Sequence, residues 1–165
     1  MKISIDLFKD DLQSVIRQLE EYKVKLKSKT ERLAERLAEE GFKIMTANLN
    51  NAKIGLSGSD RLYVEQIDKN KFVIGVESEK ILFLEFGTGI KYSSIRHPKA
   101  DELGYGAGTF PGKGYWNDPA GWWYMGKDGE FHHTFGVAPR RPMYDTAKEL
   151  REKINDVIKE VFGSG

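Results

Sequence analysis

Residues 81–89 read ILFLEFGTG, an apolar run that carries one carboxylate, Glu85, and ends in a glycine-flanked turn. The length of the run fits a buried strand or a short helix. A carboxylate between large apolar side chains is costly to bury unless it is paired or hydrogen-bonded. We therefore expect Glu85 to be an anchor that binds the turn amides at Gly87–Gly89 or the guanidinium of Arg140 or Arg141. The alternative role, a general acid or base, lacks an evident second catalytic residue.

A second stretch rich in turn-forming residues, Pro139–Ala147, opens the last predicted helix. Neither this stretch nor residues 81–89 has the residue types of a catalytic centre. No nucleophile elbow, phosphate-binding loop or zinc-ligand spacing occurs elsewhere in the chain. Together the two stretches indicate the framework of a small assembly domain, and we predict no enzymatic activity and no cofactor.

Composition narrows the class of protein further. A chain of 165 residues is expected to form one domain, here residues 1–165. Lys and Arg (26) nearly balance Asp and Glu (25), whereas proteins that neutralise nucleic-acid phosphates usually carry a basic excess, so no specific nucleic-acid binding is expected. The absence of cysteine excludes disulfides and thiolate chemistry. Without a signal peptide or a long apolar segment, the sequence predicts a soluble, cytoplasmic protein with no membrane partner.

Helical periodicity dominates the first third of the chain. We place an N-cap at Asp6 after a short edge strand at residues 2–5, and a helix end around Asn48–Asn51. Polar residues at Ser28–Thr30 interrupt the apolar face. They predict either one long bent helix or two helices that break there.

The remaining pattern predicts an α+β fold. Residues 61–67 and 71–77 indicate a β-hairpin across a short polar turn, residues 68–70. The apolar spacing after Ala147 indicates an amphipathic C-terminal helix packed on this small antiparallel sheet. Between them, residues 91–136 form an aromatic and glycine-rich loop or hairpin insertion, in which 122–125 and 130–135 are expected to pair across Gly126–Gly129.

The insertion contains all the tryptophans and all the histidines of the chain. Its aromatic residues suit a protein–protein contact, a loop mini-core, or a carbohydrate- or nucleic-acid-binding module that uses Trp116, Trp122 and Trp123. A third class, a small metal-assisted hydrolase, would use Glu85 with the three histidines, which are His97, His132 and His133. Because adjacent residues of a strand face opposite sides, His132 and His133 are not expected to chelate one ion together.

The order of these elements resembles a known family. A long N-terminal helix, a hairpin, the FLEFGTG run, a Gly/Trp-rich loop and an Arg-Pro turn into a closing helix are similar to the siphophage and prophage tail-component proteins. This "gene product ten-like" family is also described as head–tail joining or tail-completion proteins. Glu85–Gly89 and Met143–Ala147 match best, and Gly121–Tyr124 fits the prophage versions. The sequence departs from the family at Arg141–Tyr144, which reads Arg-Pro-Met-Tyr where Arg-Pro-Phe-Met is usual.

The resemblance implies a non-enzymatic subunit of the head–tail junction. Such subunits form rings, commonly hexamers, that cap the tail tube and face the head connector. The implied partners are therefore further copies of this chain, the connector and the tail-tube protein. The implied location is the bacterial cytoplasm during assembly and the virion afterwards. The residues expected to form the interface and its framework are Glu85, Phe86, Gly87, Thr88, Gly89, Trp122, Trp123, Tyr124, Arg141, Pro142, Met143 and Tyr144.

Overall fold

A computed structural model describes residues 9–52, 60–106, 109–110, 114–115 and 117–163. Its helices are α1 (Lys9–Asn51), α2 (Ile81–Phe86) and α3 (Pro142–Gly163). Its strands are β1 (Arg61–Asp68), β2 (Lys71–Glu77), β3 (Thr109–Phe110), β4 (Gly114–Tyr115), β5 (Trp122–Met125) and β6 (Phe131–Thr134). The strands pair as three antiparallel two-stranded sheets, β1–β2, β3–β4 and β5–β6. The α+β class is confirmed, while the predicted edge strand at residues 2–5 and the N-cap at Asp6 lie outside the described residues.

Helix α1 continues without interruption through Ser28–Thr30. The Thr30 hydroxyl donates to the Leu26 carbonyl at 2.8 Å, so this polar side chain is satisfied within the helix. Lys29 Nζ reaches the Phe162 carbonyl at 3.5 Å and lies 5.7 Å from the centroid of that ring. The single-helix alternative is therefore confirmed and the break is wrong.

The core lies where α3 runs antiparallel to the C-terminal half of α1. Met45 and Leu49 of α1 are fully buried, as are Pro142 and Thr146 at the start of α3. A Cβ atom on Gly41 would lie 2.6 Å from Ile74 Cδ1 and 3.0 Å from Leu150 Cδ2, so the missing side chain lets β2 and α3 meet over α1. The prediction that the C-terminal helix packs on the sheet is confirmed. The most extensive contact of α3 is with α1.

The run at residues 81–86 is a helix, the second of the two predicted possibilities. Both predicted hairpins are present. In the second one, Trp122 pairs with Thr134 and Met125 pairs with Phe131, and the turn lies at Gly126–Gly129 as predicted. No helix in the described ranges combines the length and apolarity that a bilayer crossing needs.

Candidate interface around Glu85 and the aromatic hairpin

Glu85 lies near the end of α2 with 6% of its surface exposed, which confirms the predicted burial. Its Oε2 accepts a hydrogen bond from the Met143 N–H at 2.8 Å, and its Oε1 accepts one from the Tyr144 N–H at 2.9 Å. These amides belong to the first turn of α3, whose N–H groups have no acceptor within the helix. The predicted partners, the Gly87–Gly89 amides and the two arginine side chains, are wrong. The open helix end supplies donors that point at the carboxylate, and a negative charge is favourable there.

The third partner of Glu85 is His97, which is 4% exposed. His97 Nδ1 accepts a hydrogen bond from the Lys99 N–H at 3.0 Å. That assigns the ring hydrogen to Nε2, which lies 3.0 Å from Glu85 Oε1 and donates to it. The imidazole packs between Phe86 (4.6 Å between ring centroids) and the edge of Tyr144 (5.1 Å). The sequence offered no local signal for this pair, because the loop that carries His97 has no periodic pattern.

Arg140 and Arg141 act here through their backbone. Both N–H groups donate to the Leu84 carbonyl, at 2.6 and 3.3 Å, which satisfies an acceptor at the end of α2. Arg141 has a positive φ of 56°, and Pro142 follows as the first helical residue, where a missing N–H is harmless. Arg141 Nε is the one buried side-chain nitrogen or oxygen without a hydrogen-bond partner in the described part of the chain.

The Gly87–Gly89 turn packs directly on the segment before α3. Thr88 N–H donates to the Val137 carbonyl and Val137 N–H donates to Thr88 Oγ1, both at 2.9 Å. A Cβ atom on Gly87 would lie 2.6 Å from the Val137 oxygen, and Gly87 also has a positive φ of 73°. The two stretches that stand out in the sequence therefore form one unit. We call Glu85–Gly89, His97 and Val137–Tyr144 the junction.

The β5–β6 hairpin extends from this junction and has two unlike faces. On one face the Trp122 ring lies against Gly89, where an added Cβ would be 3.1 Å from Trp122 Cζ3. The other face carries Trp123, Met125 and Phe131, which are 65%, 62% and 64% exposed. Pairing of Met125 with Phe131 places their side chains on the same side. We call these three residues the aromatic face.

Met125 and Phe131 were not among the predicted interface residues, although the alternation of β5 could have pointed to Met125. Tyr124 was among the predicted interface residues. It is half-exposed and lies on the opposite side of the hairpin from the aromatic face. Phe86 stacks on Tyr105 with ring centroids 4.3 Å apart and so belongs to the packing of the junction.

Of the residues of the hydrolase alternative, the structure brings together only Glu85 and His97, whereas His132 and His133 have partners of their own. His132 Nε2 lies 2.9 Å from Asp128 Oδ2, and the Glu130 N–H and His132 lower the pKa of that carboxyl. His133 Nε2 lies 2.8 Å from the Ala120 carbonyl oxygen. Within the ranges that the structure describes, no three His, Cys, Asp or Glu side chains form a group able to hold a metal. The stacking alternative retains Trp123, whereas Trp122 is packed and Trp116 lies outside the described residues.

A groove lies beside the junction and has an apolar lining. Its volume is about 480 Å³, and its wall includes Tyr63, Val76, Leu82, Leu103 and Met143. Leu82 is 41% exposed and Leu103 is 54% exposed.

Comparison of the chain with protein-family models, with curated proteins and with solved structures found no match.

Proposed function

We propose that this chain is a structural protein of the head–tail junction of a tailed bacteriophage or prophage, a tail-completion or tail-component subunit that assembles into a ring. The proposal is supported by the resemblance of Glu85–Gly89 and Met143–Ala147 to that family. The observation that carries it is that these two short stretches form a single hydrogen-bonded junction from which the aromatic face extends.

The arrangement of the junction favours a framework role over catalysis. The carboxylate of Glu85 accepts three hydrogen bonds, two from backbone amides and one from His97. Bonds of this kind stabilise the fold and orient α3 against α2. A carboxylate held in this way is occupied with connecting helices, which supports the proposal that the protein is not an enzyme.

A ring requires two different, complementary patches on each subunit, because its contacts are heterologous. The aromatic face is a projecting apolar patch, and the groove beside the junction is a recessed apolar one. Exposed aromatic residues and Met are enriched at protein–protein contacts. We assign the aromatic face of one subunit to the groove of its neighbour, with the head connector and the tail-tube protein as the partners above and below the ring. Assembly then occurs in the bacterial cytoplasm and the ring stays in the virion.

The test uses two variants of the full chain that each lose one patch. Trp123→Thr with Phe131→Thr removes most of the aromatic face, and Leu82→Ser with Leu103→Ser makes the groove polar. Wild-type protein should form closed rings at high concentration in negative-stain electron microscopy and sedimentation velocity. Each variant alone should form none. A mixture of the two should give a species larger than either variant alone, because one intact contact remains.

Ile67→Thr is the matched control, since Ile67 is an exposed apolar residue (51%) on the other hairpin. It should assemble like the wild type. A wild-type chain that forms no ring at several hundred micromolar, alone or with connector protein, would contradict the proposal. Assembly that persists in both double variants would show that the ring uses other surfaces.

A further inference from the structure

Helix α1 continues beyond the point where α3 ends. Lys29 Nζ reaches the Phe162 carbonyl, 3.5 Å away, in the last turn of α3. Toward the N-terminus of α1, every residue from Ile16 to Ser28 is exposed, whereas Val15 before them is buried. These exposed residues span about 20 Å of helix. We call residues 16–28 the arm.

The arm carries a short apolar stripe. Leu19, Tyr22 and Leu26 are 47%, 47% and 43% exposed, and their spacing of three and four residues places them on one side of the helix. Further along α1 the same side is covered by α3, which Arg36 and Glu40 contact through ion pairs. The stripe therefore continues a helix–helix contact of this chain past the end of α3. An exposed apolar stripe in this position indicates that a further helix covers it.

Lysines border the stripe on both sides. Residues 22–29 read YKVKLKSK, which contains four lysines and no carboxylate. At about 100° of rotation per residue, Lys23 and Lys27 lie along one border of the stripe. Lys25 and Lys29 lie along the other border. The uncovered apolar side chains are therefore enclosed by positive charge.

The acidic residues of the arm do not compensate these lysines. Glu20 and Glu21 lie about 130° from the centre of the stripe, toward the opposite side of the helix. Among the residues that the structure describes, Lys23, Lys25 and Lys27 form no ion pair. Their charges are available to a partner.

The bordering charges select the chemistry of that partner. Residues beside the apolar seam of a helical pair determine partner choice through their charge. The chain contains its own example, because Arg36 borders the same side of α1 and its Nε lies 3.0 Å from Glu160 Oε1 of α3. A second copy of the arm would instead bring lysines toward lysines wherever the two 22–29 segments face each other, which is unfavourable.

We propose that the arm binds an amphipathic helix of a partner protein in which Glu or Asp residues border the apolar stripe. The partner helix continues the line of α3 along α1 and places its carboxylates beside Lys23, Lys25 and Lys27. The contact uses neither the aromatic face nor the groove, so it does not depend on the ring. Because the arm is already helical in continuity with the packed half of α1, binding does not have to form this helix.

Two synthetic peptides of about three heptads test the charge preference. Both carry Leu at the seam positions, and the flanking positions are Glu in the acidic probe and Lys in the basic probe. In fluorescence anisotropy at low salt, the full chain should bind the acidic probe at least about tenfold more tightly. The difference should shrink at high salt, because exposed charges are screened. Equal affinity for the two probes would overturn the proposal.

Charge reversal locates the contact on the arm. Lys23→Glu with Lys27→Glu reverses one border of the stripe and should weaken binding of the acidic probe at least about tenfold. Arg17→Glu with Lys159→Glu is the matched control, because it changes the net charge equally at exposed positions away from the stripe. The control should bind like the wild type. Equal losses in the two double variants would mean that net charge alone attracts the probe, against the proposal.

Replacement of the apolar residues tests the stripe itself. Leu19→Ser with Leu26→Ser should abolish binding of the acidic probe. Val24→Ser should retain it, because Val24 is 68% exposed on the opposite side of the helix. A stripe variant that binds like the wild type would contradict the proposal.

Two further measurements identify other occupants of the stripe. A wild-type dimer in sedimentation velocity that the Leu19→Ser with Leu26→Ser variant loses would assign the stripe to a second copy of this chain. Binding to phosphatidylserine vesicles that the same variant loses, with neither peptide bound, would assign it to an anionic lipid surface. Either result would overturn the assignment to an acidic helix.

Discussion

Glu85 performs for α3 the role that a capping side chain usually performs within its own helix. Capping residues normally precede the helix and accept hydrogen bonds from its second or third N–H. Here the residue before the helix is Arg141, and its guanidinium contains no atom that can accept a hydrogen bond. The accepting carboxylate comes instead from Glu85 of α2. The cap is therefore also a tertiary contact that ties α2 to α3.

Replacement of Glu85 by Gln should lower the free energy of unfolding by about 3 kcal/mol, since charged hydrogen bonds contribute about 1.5–3 kcal/mol each. Gln has one acceptor oxygen, and its NH₂ group would face backbone donors. Urea denaturation followed by circular dichroism measures the loss. Glu65→Gln, at an exposed position of β1, is the control and should change stability by less than about 0.5 kcal/mol.

The interaction of Glu85 with His97 can be measured by a double-mutant cycle. His97→Leu removes the donor to Glu85 and the acceptor of the Lys99 N–H. The double variant Glu85→Gln with His97→Leu should be less destabilised than the sum of the single variants by about 1 kcal/mol, because the shared bond is lost once. Strict additivity would mean that the two side chains are not coupled.

Gly87→Ala tests the turn at the end of the junction. The new Cβ would lie 2.6 Å from the Val137 oxygen and 2.8 Å from Pro139 Cδ, at a residue with φ of 73° and ψ of −179°. This backbone region is essentially restricted to glycine, so we expect a loss of at least about 3 kcal/mol in thermal or urea denaturation. Gly129→Ala has a similar φ of 80° with no atom within 4 Å of the new Cβ, and should cost about 1–2 kcal/mol. Equal losses would show that backbone conformation alone, and not the close approach to Val137, restricts Gly87.

Among the elements, the pairing of α1 with α3 combines a buried seam with charged pairs at its border. Lys153 Nζ lies 2.5 Å from Glu40 Oε1, and Arg36 Nε lies 3.0 Å from Glu160 Oε1. The hydrogen bonds from Lys153 and Arg36 lower the pKa values of Glu40 and Glu160, respectively. Exposed pairs contribute little each, so the seam formed by residues such as Met45 and Val161 provides most of the stability.

The Glu40–Lys153 pair predicts a dependence of stability on pH. A carboxyl whose pKa is lower in the folded than in the unfolded state stabilises the protein above its unfolded pKa, and that contribution is lost as pH falls through the folded pKa. The stability difference between wild type and Lys153→Met should thus be present at pH 7 and shrink below about pH 4.5. Denaturant titrations from pH 7 to pH 3 measure it. Lys159→Met is the control, because Lys159 lies 3.8 Å from Asp156 on the exposed side of α3 and should show a smaller difference at every pH.

Over the whole molecule, the residues that stabilise the fold and the residues proposed for assembly lie in different places. The buried seam and the junction stabilise the chain, whereas the aromatic face is an exposed apolar surface. Large exposed apolar patches are uncommon on monomers and usually mark contact sites. The separation favours a protein that folds first and associates afterwards.

Folding and assembly should therefore be separable by mutation. Trp123→Thr with Phe131→Thr should change the free energy of unfolding at low concentration by less than about 1 kcal/mol, because the replaced rings are mostly exposed. It should still abolish the ring. Conversely, Gly87→Ala, at a residue outside the wall of the groove, should lower stability and leave association unchanged under conditions where the variant is folded. A hairpin variant that unfolds would show that the aromatic face also supports the fold.

The helices and hairpins could be predicted from the sequence because their signals are local. The periodic apolar residues of α1 and α3, and the turns after Asp68 and Met125, depend on neighbours within a few positions. Two features of secondary structure could be decided only from tertiary contacts: the continuity of α1 at Ser28–Thr30, and the choice between helix and strand at residues 81–86. The polar stretch Ser28–Thr30 interrupts the apolar face, but it lies beside the end of α3 and bonds within the helix. Residues 81–86 fit both a strand and a helix by length.

The sequence by itself determined the α+β class and the presence of one carboxylate in an apolar run. It also showed that the Gly/Trp-rich segment, residues 91–136, differs in composition from the rest of the chain. Only the tertiary structure decided which groups bind Glu85. Its partners, His97 and the first amides of α3, are 12, 58 and 59 positions away in the chain. No local pattern encodes such pairings, because they depend on how the unsatisfied end of one helix is oriented by the packing of the others. For the same reason, only the structure showed which apolar residues of α1 and β5–β6 remain uncovered.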